Sequence, residues 1–167
     1  MKTFQTFMNQ KNGGICDIYG IDPRKIYDFL FPLLEPYTIL YIDTAHTLTR
    51  SENIVYASLD EYDEIINLIK NIDNVDAVIV DNLYNIKNKP VRTGYALYRF
   101  QMAALENNLN LIFLNQVRAK RDDDPGTGIY REVFERAFKK YAALRIEVAA
   151  DEIAIRTRRS RKQTLWY

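Results

Sequence analysis

The sequence predicts an α/β protein with a mainly parallel central sheet, helices on both faces, and antiparallel strands at the C-terminal edge. Residues 38–43 and 76–81 are nearly continuous apolar runs, which is typical of strands buried on both faces. Segments with helical periodicity separate such strands, and this alternation favours parallel pairing. Near the C-terminus the period changes to two, because residues 144–148 alternate apolar and charged side chains, as in an antiparallel hairpin.

The composition indicates one folded domain spanning residues 1–167. Apolar residues make up 47% of the chain, which argues against disorder, and the net charge of +1 provides no global attraction to nucleic acid. The single cysteine, Cys16, excludes an intrachain disulfide, and the single histidine, His46, disfavours a histidine-based metal site. No apolar run has membrane-spanning length and no signal peptide is evident, so we expect a cytoplasmic protein, nucleoid-associated if it binds DNA.

The elements follow from local patterns along the chain. Residues 1–12 predict an amphipathic lead-in or a small cap. The predicted strand Ile15–Tyr19 runs through Gly20 into a helix that begins at Pro23, and Pro32 should kink or end that helix. The later predicted elements are strand 53–57, a helix capped by Asp60, helix 93–106 and strand 111–117. Helix 130–140 follows, with i,i+4 pairs Glu132/Arg136 and Glu135/Lys139. The chain then forms a hairpin that turns at 149–152, and its basic tail 156–167 can add a last strand.

Function in a parallel α/β sheet gathers at the carboxyl ends of its strands. Here these ends carry Gly20, Asp43 to His46, Asp81-Asn82 and Asn115-Gln116. We therefore expect these residues to lie together at one edge of the sheet.

The turn after the first strand occupies the place of a phosphate-binding loop but does not match one. A P-loop reads G-x-x-x-x-G-K-[ST], whereas the chain has one residue too few between Gly20 and Lys25, Arg24 at the second glycine and Ile26 at the hydroxyl. Asp22 and Pro23 instead predict a helix N-cap followed by Pro at the first helical position. A carboxylate there would occupy donors that a phosphate needs.

Four segments in order resemble the RecA/RadA recombinase ATPase family over most of the chain. Gly14-Ile15-Cys16-Asp17-Ile18-Tyr19-Gly20 resembles the strand entering its P-loop, and Tyr41-Ile42-Asp43-Thr44-Ala45-His46-Thr47 resembles the segment with its catalytic glutamate. Val78-Ile79-Val80-Asp81-Asn82 resembles its Walker B strand, and Phe113-Leu114-Asn115-Gln116-Val117 resembles the strand whose glutamine senses the γ-phosphate. The resemblance implies a minimal RecA-like ATPase core without the N-terminal helical domain.

The resemblance also implies that the active site is vestigial. Ala45 stands at the position of the glutamate that activates water, and the P-loop glycine and hydroxyl are missing, while Lys25, Asp81 and Gln116 remain. Phosphoryl transfer depends on positioning and charge stabilisation, so we expect a pseudo-ATPase with no cofactor. Two alternatives stay open: Asp81 and Gln116 serve only structural roles, or Lys25 retains weak nucleotide binding.

In the family, the loops after Walker B and after the glutamine strand contact single-stranded DNA. The matching loops here are Asn85–Thr93 and Arg118–Gly128, with Tyr84 and Tyr95 beside the first as stacking faces, although Asp122-Asp123-Asp124 in the second would repel phosphate. The tail is a further basic segment, which could equally be a solvated face that discourages aggregation. The candidate nucleic-acid residues are Lys87, Lys89, Arg92, Arg118, Lys120, Arg121, Arg156, Arg158, Arg159, Arg161 and Lys162.

The leading hypothesis is a catalytically inactive RecA/RadA-like paralogue that acts as an accessory factor in DNA recombination or repair. Its expected partners are single-stranded DNA and a recombinase or other RecA-like protein, with no membrane. The alternative is a protein-interaction module, as a homo-oligomer or as a subunit of a RecA-like ATPase assembly. A third hypothesis is a metal-dependent nuclease or phosphatase that uses Asp43, His46 and Asp81.

Overall fold

The computed structural model describes residues 2–45, 54–119, 130–132, 134–149, 152–157 and 163–166, and only the backbone at 116–119, 130–132 and 163–166. His46, Lys120, Arg121, Arg158, Arg159, Arg161 and Lys162 lie outside the described residues.

A mainly parallel sheet of nine described strands organises the molecule. Neighbours along the sheet are in the order β3-β2-β4-β5-β1-β7-β8-β9, and β6 pairs with β5 outside this path. The pairs from β3 to β7 are parallel, and β7, β8 and β9 pair antiparallel. The strands are β1 (Ile15–Gly20), β2 (Ile39–Asp43), β3 (Ile54–Ala57), β4 (Ala77–Asp81), β5 (Asn110–Ala119), β6 (Tyr130–Glu132), β7 (Leu144–Val148), β8 (Glu152–Thr157) and β9 (Gln163–Trp166). The predicted α/β fold class is confirmed.

Helices cover both faces of this sheet. The helices are α1 (Lys2–Gln10), α2 (Pro23–Leu34), α3 (Tyr62–Asn71), α4 (Thr93–Glu106) and α5 (Glu135–Tyr141), and Leu83–Asn85 form a short 3₁₀ turn. Apolar side chains of α1 and α2 pack against one face, and those of α3, α4 and α5 pack against the other. Because β1, β2, β4 and β5 contribute buried side chains to both layers, they read as continuous apolar runs. None of the described helices is long and apolar enough to cross a membrane.

The helix predicted at residues 130–140 is wrong at its start. Tyr130–Glu132 form β6, which pairs with an extension of β5 that the sequence pattern does not indicate. Phe134 has a left-handed backbone conformation (φ 66°), and α5 begins only at Glu135. The predicted Glu132/Arg136 pair on one helix is therefore wrong, whereas the ion pair between Glu135 and Lys139 does form.

Helix boundaries elsewhere show which local signals were decisive. The Asp22 carboxylate accepts a hydrogen bond from the Arg24 N–H and caps α2, as predicted. Pro32 lies inside α2, which continues for two more residues and ends at Leu34. The predicted cap at Asp60 is wrong, because Glu61 is the N-cap residue of α3 and the Asp60 carboxylate contacts Lys87 instead.

The C-terminal strands agree with the period-two pattern. Leu144–Val148 pair antiparallel with Ile153–Thr157, and the side chains of Leu144, Ile146 and Val148 are buried. The tail adds β9 on the outer side of β8. The predicted hairpin and last strand are confirmed.

Candidate functional site

The predicted strand ends meet at one edge of the sheet. β2, β4, β5 and β1 are consecutive neighbours, with Asp43 opposite Asp81 on one pair and Gly20 opposite Gln116 on another. Asp43 and Asp81 are the last residues of their strands, and Asn115 lies opposite Tyr19. The sequence therefore located the edge correctly.

The turn from β1 into α2 approaches β7 so closely that it has no room for a side chain at Gly20. A Cβ atom there would clash with the main-chain oxygen of Val148. After Gly20, the carboxylate of Asp22 accepts a hydrogen bond from the Arg24 N–H at 2.9 Å, and Pro23 has no N–H. Two of the first helical positions therefore offer no backbone donor to a ligand, since one is a proline and the other is already bound.

The carboxylate of Asp81 faces tyrosines at the end of β4. Its Oδ2 atom accepts hydrogen bonds from the hydroxyls of Tyr27 on α2, at 2.7 Å, and of Tyr41 on β2, at 2.5 Å. Burial raises the pKa of Asp81, the two hydroxyls act against this rise, and the neighbouring Asp43 charge adds to it. Burial and the Asp81 charge in turn raise the pKa values of both tyrosines. The two phenols therefore stay protonated and act as donors to this carboxylate.

An aromatic cluster holds the two tyrosines in place. Phe31 stacks on Tyr27 with ring centroids 5.7 Å apart and lies 6.3 Å from Tyr41, and Tyr41 lies 5.4 Å from Tyr56 of β3. These rings connect α2 to the neighbouring strands β2 and β3. Reorienting Asp81 toward the strand ends would break two hydrogen bonds that this packing supports.

Thr44 ties the loop after β2 to the end of β4. Its Oγ1 atom accepts a hydrogen bond from the Asn82 N–H and lies 2.8 Å and 2.9 Å from the main-chain oxygens of Asp81 and Asn82. Asp43 Oδ1 accepts a hydrogen bond from the Ala45 N–H at 3.0 Å. The peptide between Asp81 and Asn82 is cis. Ala45 lies at this edge, and its methyl side chain offers no carboxylate.

A cavity of about 220 Å³ lies above Gly20. Its described lining includes Gly20, Pro23, Ile26, Tyr27, Ala45, Asp81, Asn82, Leu114 and Asn115, and does not include Lys25, which is exposed on α2. Small-molecule pockets are commonly about 300–1,000 Å³, so this cavity is small for a nucleotide. Among the described residues that line the cavity, Asp81 contributes the one carboxylate, and that carboxylate already accepts two hydroxyls.

The metal hypothesis receives no cluster from the described part of the chain. No three histidine, cysteine, aspartate or glutamate side chains there are grouped so that they could hold an ion. His46 lies outside the described residues, so the set of Asp43, His46 and Asp81 stays a prediction.

A buried ion pair that was not predicted from the sequence lies on the face of the sheet that α3, α4 and α5 cover. Asp17 of β1 and Arg145 of β7 are directly opposite, and Arg145 Nε lies 2.9 Å from Asp17 Oδ2. Asn115 Nδ2 donates to the other carboxylate oxygen at 2.7 Å, and the Arg145 guanidinium lies 4.9 Å from the centre of the Tyr19 ring. Asp17 has no exposed surface. The available signal was Asp17 inside the otherwise apolar β1, whereas Arg145 fits the alternation of apolar and charged residues in β7.

Two basic residues of the predicted DNA-binding loop contact oxygen atoms of their own chain. The Lys87 ammonium lies 2.7 Å from the Asp60 carboxylate. The Lys89 ammonium donates to the main-chain oxygens of Tyr84 and Ile86 at 3.1 and 2.6 Å, and burial lowers its pKa. Arg92 is exposed. The Lys89 side chain therefore stabilises its own loop, and the Arg92 guanidinium is more accessible to a ligand than the Lys89 ammonium.

The other candidate residues are only partly described. Gln116 and Arg118 lie in the last part of β5, residues 116–119, of which only the backbone is described. Arg156 of β8 contacts the Glu147 carboxylate at 3.2 Å and is partly buried. The assignment of these residues to nucleic acid stays a prediction.

The comparisons with known proteins bear on the fold. The sequence matches no protein-family model and no curated protein. The structure is similar to the crystal structure of the RadB recombinase, with a TM-score of 0.59 and 15% sequence identity, over 93% of this chain and 87% of that one. At this identity the likeness concerns the fold. The chain has a RecA/RadA-like fold.

Proposed function

We propose that the protein is a catalytically silent RecA/RadA-like accessory factor in DNA recombination or repair, which binds single-stranded DNA, a recombinase, or both. The observation that carries the proposal is the Asp81 carboxylate, which accepts the Tyr27 and Tyr41 hydroxyls at the place where a RecA-like ATPase would bind Mg²⁺. The fold is kept while the chemical groups at this edge are engaged with each other.

Three features at this edge disfavour ATP hydrolysis. The helix start is capped by its own Asp22, the cavity is about 220 Å³, and Ala45 offers no general base. Hydrolysis needs a phosphate cradle, a metal and a positioned water together, so a capped helix start and an alanine at the position of the general base leave little to stabilise the transition state.

Accessible basic residues support the binding part of the proposal. Arg92 is exposed, and Tyr84 in the preceding 3₁₀ turn is an exposed aromatic ring on which a base could stack. Lys87 and Lys89 contribute less, because their ammonium groups already contact Asp60 and main-chain oxygens. The tail residues Arg158, Arg159, Arg161 and Lys162 lie outside the described residues, and their part in binding stays a prediction from the sequence.

Phosphate release with purified protein tests the catalytic part. We expect turnover of Mg-ATP, with and without single-stranded DNA, to equal that of a Lys25→Ala control. Turnover well above this control, and lost on Asp81→Asn, would show an active site and overturn the proposal.

Fluorescence anisotropy with a labelled oligonucleotide tests the DNA part. We expect binding that weakens steeply with salt, and a larger loss for Arg92→Ala than for Lys89→Ala. The two substitutions remove one positive charge each from the same loop and differ in whether that charge is engaged. No binding at low salt would remove DNA and leave a recombinase as the partner.

A second candidate function is a protein-interaction module without DNA binding. The observation that favours it is the large exposed apolar surface on α4, where Tyr95, Tyr98, Met102 and Leu105 face outward. Interfaces are enriched in tyrosine and methionine. Light scattering without DNA, or capture by a purified recombinase, separates this candidate from the first.

A further inference from the structure

Helix α4 has two apolar faces, and one of them points away from the sheet. Tyr95, Tyr98, Met102 and Leu105 are 51%, 46%, 38% and 44% exposed, whereas Phe100 on the opposite side is fully buried. At about 100° per residue, the four exposed positions fall within roughly 80° of the helix circumference. They form a continuous row, which we call the α4 stripe.

The α4 stripe lies along the middle of one face of the protein. α4 packs between α3 and α5 in the layer that covers this face. Val91, which is fully exposed, precedes the stripe at the N-terminal end of the helix. Contiguous exposed apolar surface of this kind marks interaction sites on soluble proteins.

We propose that the α4 stripe binds the α4 stripe of a second copy of this chain, with the two helices antiparallel. Tyr95 and Leu105 are each five residues from Phe100, and Tyr98 and Met102 are each two residues from it. A two-fold axis at the level of Phe100 therefore places each tyrosine opposite an aliphatic or thioether side chain of the second copy. Such a surface is self-complementary, as a two-fold interface requires, and sulfur–aromatic contacts are favourable.

Charges beside the stripe fit the same arrangement. Arg92 precedes Phe100 by eight residues and Glu106 follows it by six, so the two-fold axis brings them to levels about 3 Å apart along the helix axes. Arg92 is exposed, and Glu106, which contacts Lys70, is about half exposed. Each end of the interface thus pairs an arginine with a glutamate of the second copy. A parallel arrangement would place like charges opposite each other.

The neighbouring helix α3 also carries opposite charges at its two ends. α3 carries Asp63 and Glu64 in its first turn and Lys70 in its last. α3 and α4 each connect parallel strands and run in the same direction, so antiparallel pairing sets the basic end of α3 toward the acidic end of its copy. Arg99 borders the stripe, and the neighbouring Tyr95 hydroxyl raises the pKa of its guanidinium, with a smaller contribution from Asp63.

The composition of the stripe favours a protein over a nucleic acid. Met102 and Leu105 offer no planar face on which a base could stack, and they form half of the row. The nearest loop lysines, Lys87 and Lys89, already contact oxygen atoms of their own chain. One helix row is small beside a standard interface of about 1,200–2,000 Å², so we expect a micromolar dimer.

Disulfide trapping tests the geometry. In a Tyr95→Cys/Leu105→Cys variant the two thiols lie about 15 Å apart on one helix, too far for an intramolecular bond. The antiparallel arrangement brings each close to the other cysteine of the second copy, so mild oxidation should give a covalent dimer. The single variants and the wild type, whose Cys16 is buried, should give no covalent dimer. Cross-linking of Tyr95→Cys alone would indicate parallel pairing and overturn the proposal.

Sedimentation velocity over a concentration series tests the association itself. We expect a monomer–dimer equilibrium for the wild type, and a dissociation constant at least about tenfold higher for Tyr98→Glu. Ile21→Glu is the control, because it places the same charge at an apolar residue that is 62% exposed on the β1–α2 turn. This variant should leave the dissociation constant unchanged. A wild type that is monomeric into the high micromolar range would overturn the proposal. So would oligonucleotide binding that Tyr98→Glu abolishes in a monomeric protein.

Discussion

Two aspartates on nearby strands of the same sheet have opposite surroundings. Asp17 in β1 is fully buried and pairs with the guanidinium of Arg145, while Asp81 at the end of β4 is partly buried and accepts two neutral hydroxyls from described residues. Burial raises the pKa of Asp81, and the two hydroxyls act against this rise. The comparison teaches that one carboxylate of the sheet is held by an ion pair inside the fold, whereas the other is held at the strand edge by phenol hydroxyls.

The largest expected effect comes from removing the cation of the buried pair. Arg145→Met leaves Asp17 buried without its guanidinium, and breaking a buried pair in this way costs about 3–5 kcal/mol of unfolding free energy. Urea denaturation measures the loss. Arg156→Met is the matched control, because Arg156 contacts Glu147 in a partly exposed pair and should cost less than about 1 kcal/mol. Equal losses for the two variants would contradict a special role for Asp17.

Replacing each aspartate by its amide sharpens the comparison directly. Asp17→Asn removes the charge that Arg145 requires and should cost about 2–3 kcal/mol, since a charged hydrogen bond is lost inside the protein. Asp81→Asn keeps an oxygen acceptor for the Tyr27 and Tyr41 hydroxyls and should cost less than about 1 kcal/mol. Parallel urea titrations give both values. A larger loss for Asp81→Asn would reverse the assignment.

Removing one hydroxyl donor to Asp81 should have a smaller effect. Tyr27→Phe keeps the ring that stacks on Phe31 and deletes one hydrogen bond, at a cost of about 1 kcal/mol. It should also raise the pKa of Asp81 further, because that hydroxyl lowers it. Tyr37→Phe, on the segment between α2 and β2, is the matched control and should change stability less. Equal effects would mean that the Tyr27 hydroxyl contributes little.

The smallest expected effect is a pH dependence. The folded-state pKa of Asp81 lies above its unfolded value, so protonation favours the folded state. The stabilisation is complete below the unfolded pKa of about 4 and is lost as the pH rises through the folded pKa. The wild type should therefore gain stability relative to Asp81→Asn as the pH falls from neutral. Thermal denaturation of both proteins across that range measures the difference, and a gain in the opposite direction would mean a depressed pKa.

The fold could be predicted from the sequence to a large extent, because its strands are buried on both faces and leave apolar runs in the chain. The ends of α4 at Thr93 and Glu106 and the cap at Asp22 also follow from local signals. β6 could not be predicted, since Tyr130–Glu132 pair with an extension of β5, and this pairing is not encoded locally.

The candidate site could be located but not described from the sequence. Strand ends identify Gly20, Asp43 and Asp81, yet nothing local indicates that Tyr27 reaches Asp81, which lies 54 residues further along the chain. The Asp17–Arg145 pair joins residues 128 positions apart, and only the sheet order brings them together. Side-chain partners across a sheet are set by topology, and single-sequence patterns do not contain it.

A thermal-shift measurement with Mg-ATP tests the central proposal, that the strand ends around Gly20 do not bind a nucleotide. A ligand at a hundred times its dissociation constant stabilises a folded protein by about 2.7 kcal/mol, which is readily detected as a higher melting temperature. We predict that millimolar Mg-ATP leaves the melting temperature of the wild type unchanged, as it should in Lys25→Ala. A magnesium-dependent rise that disappears in both Lys25→Ala and Asp81→Asn would contradict the account.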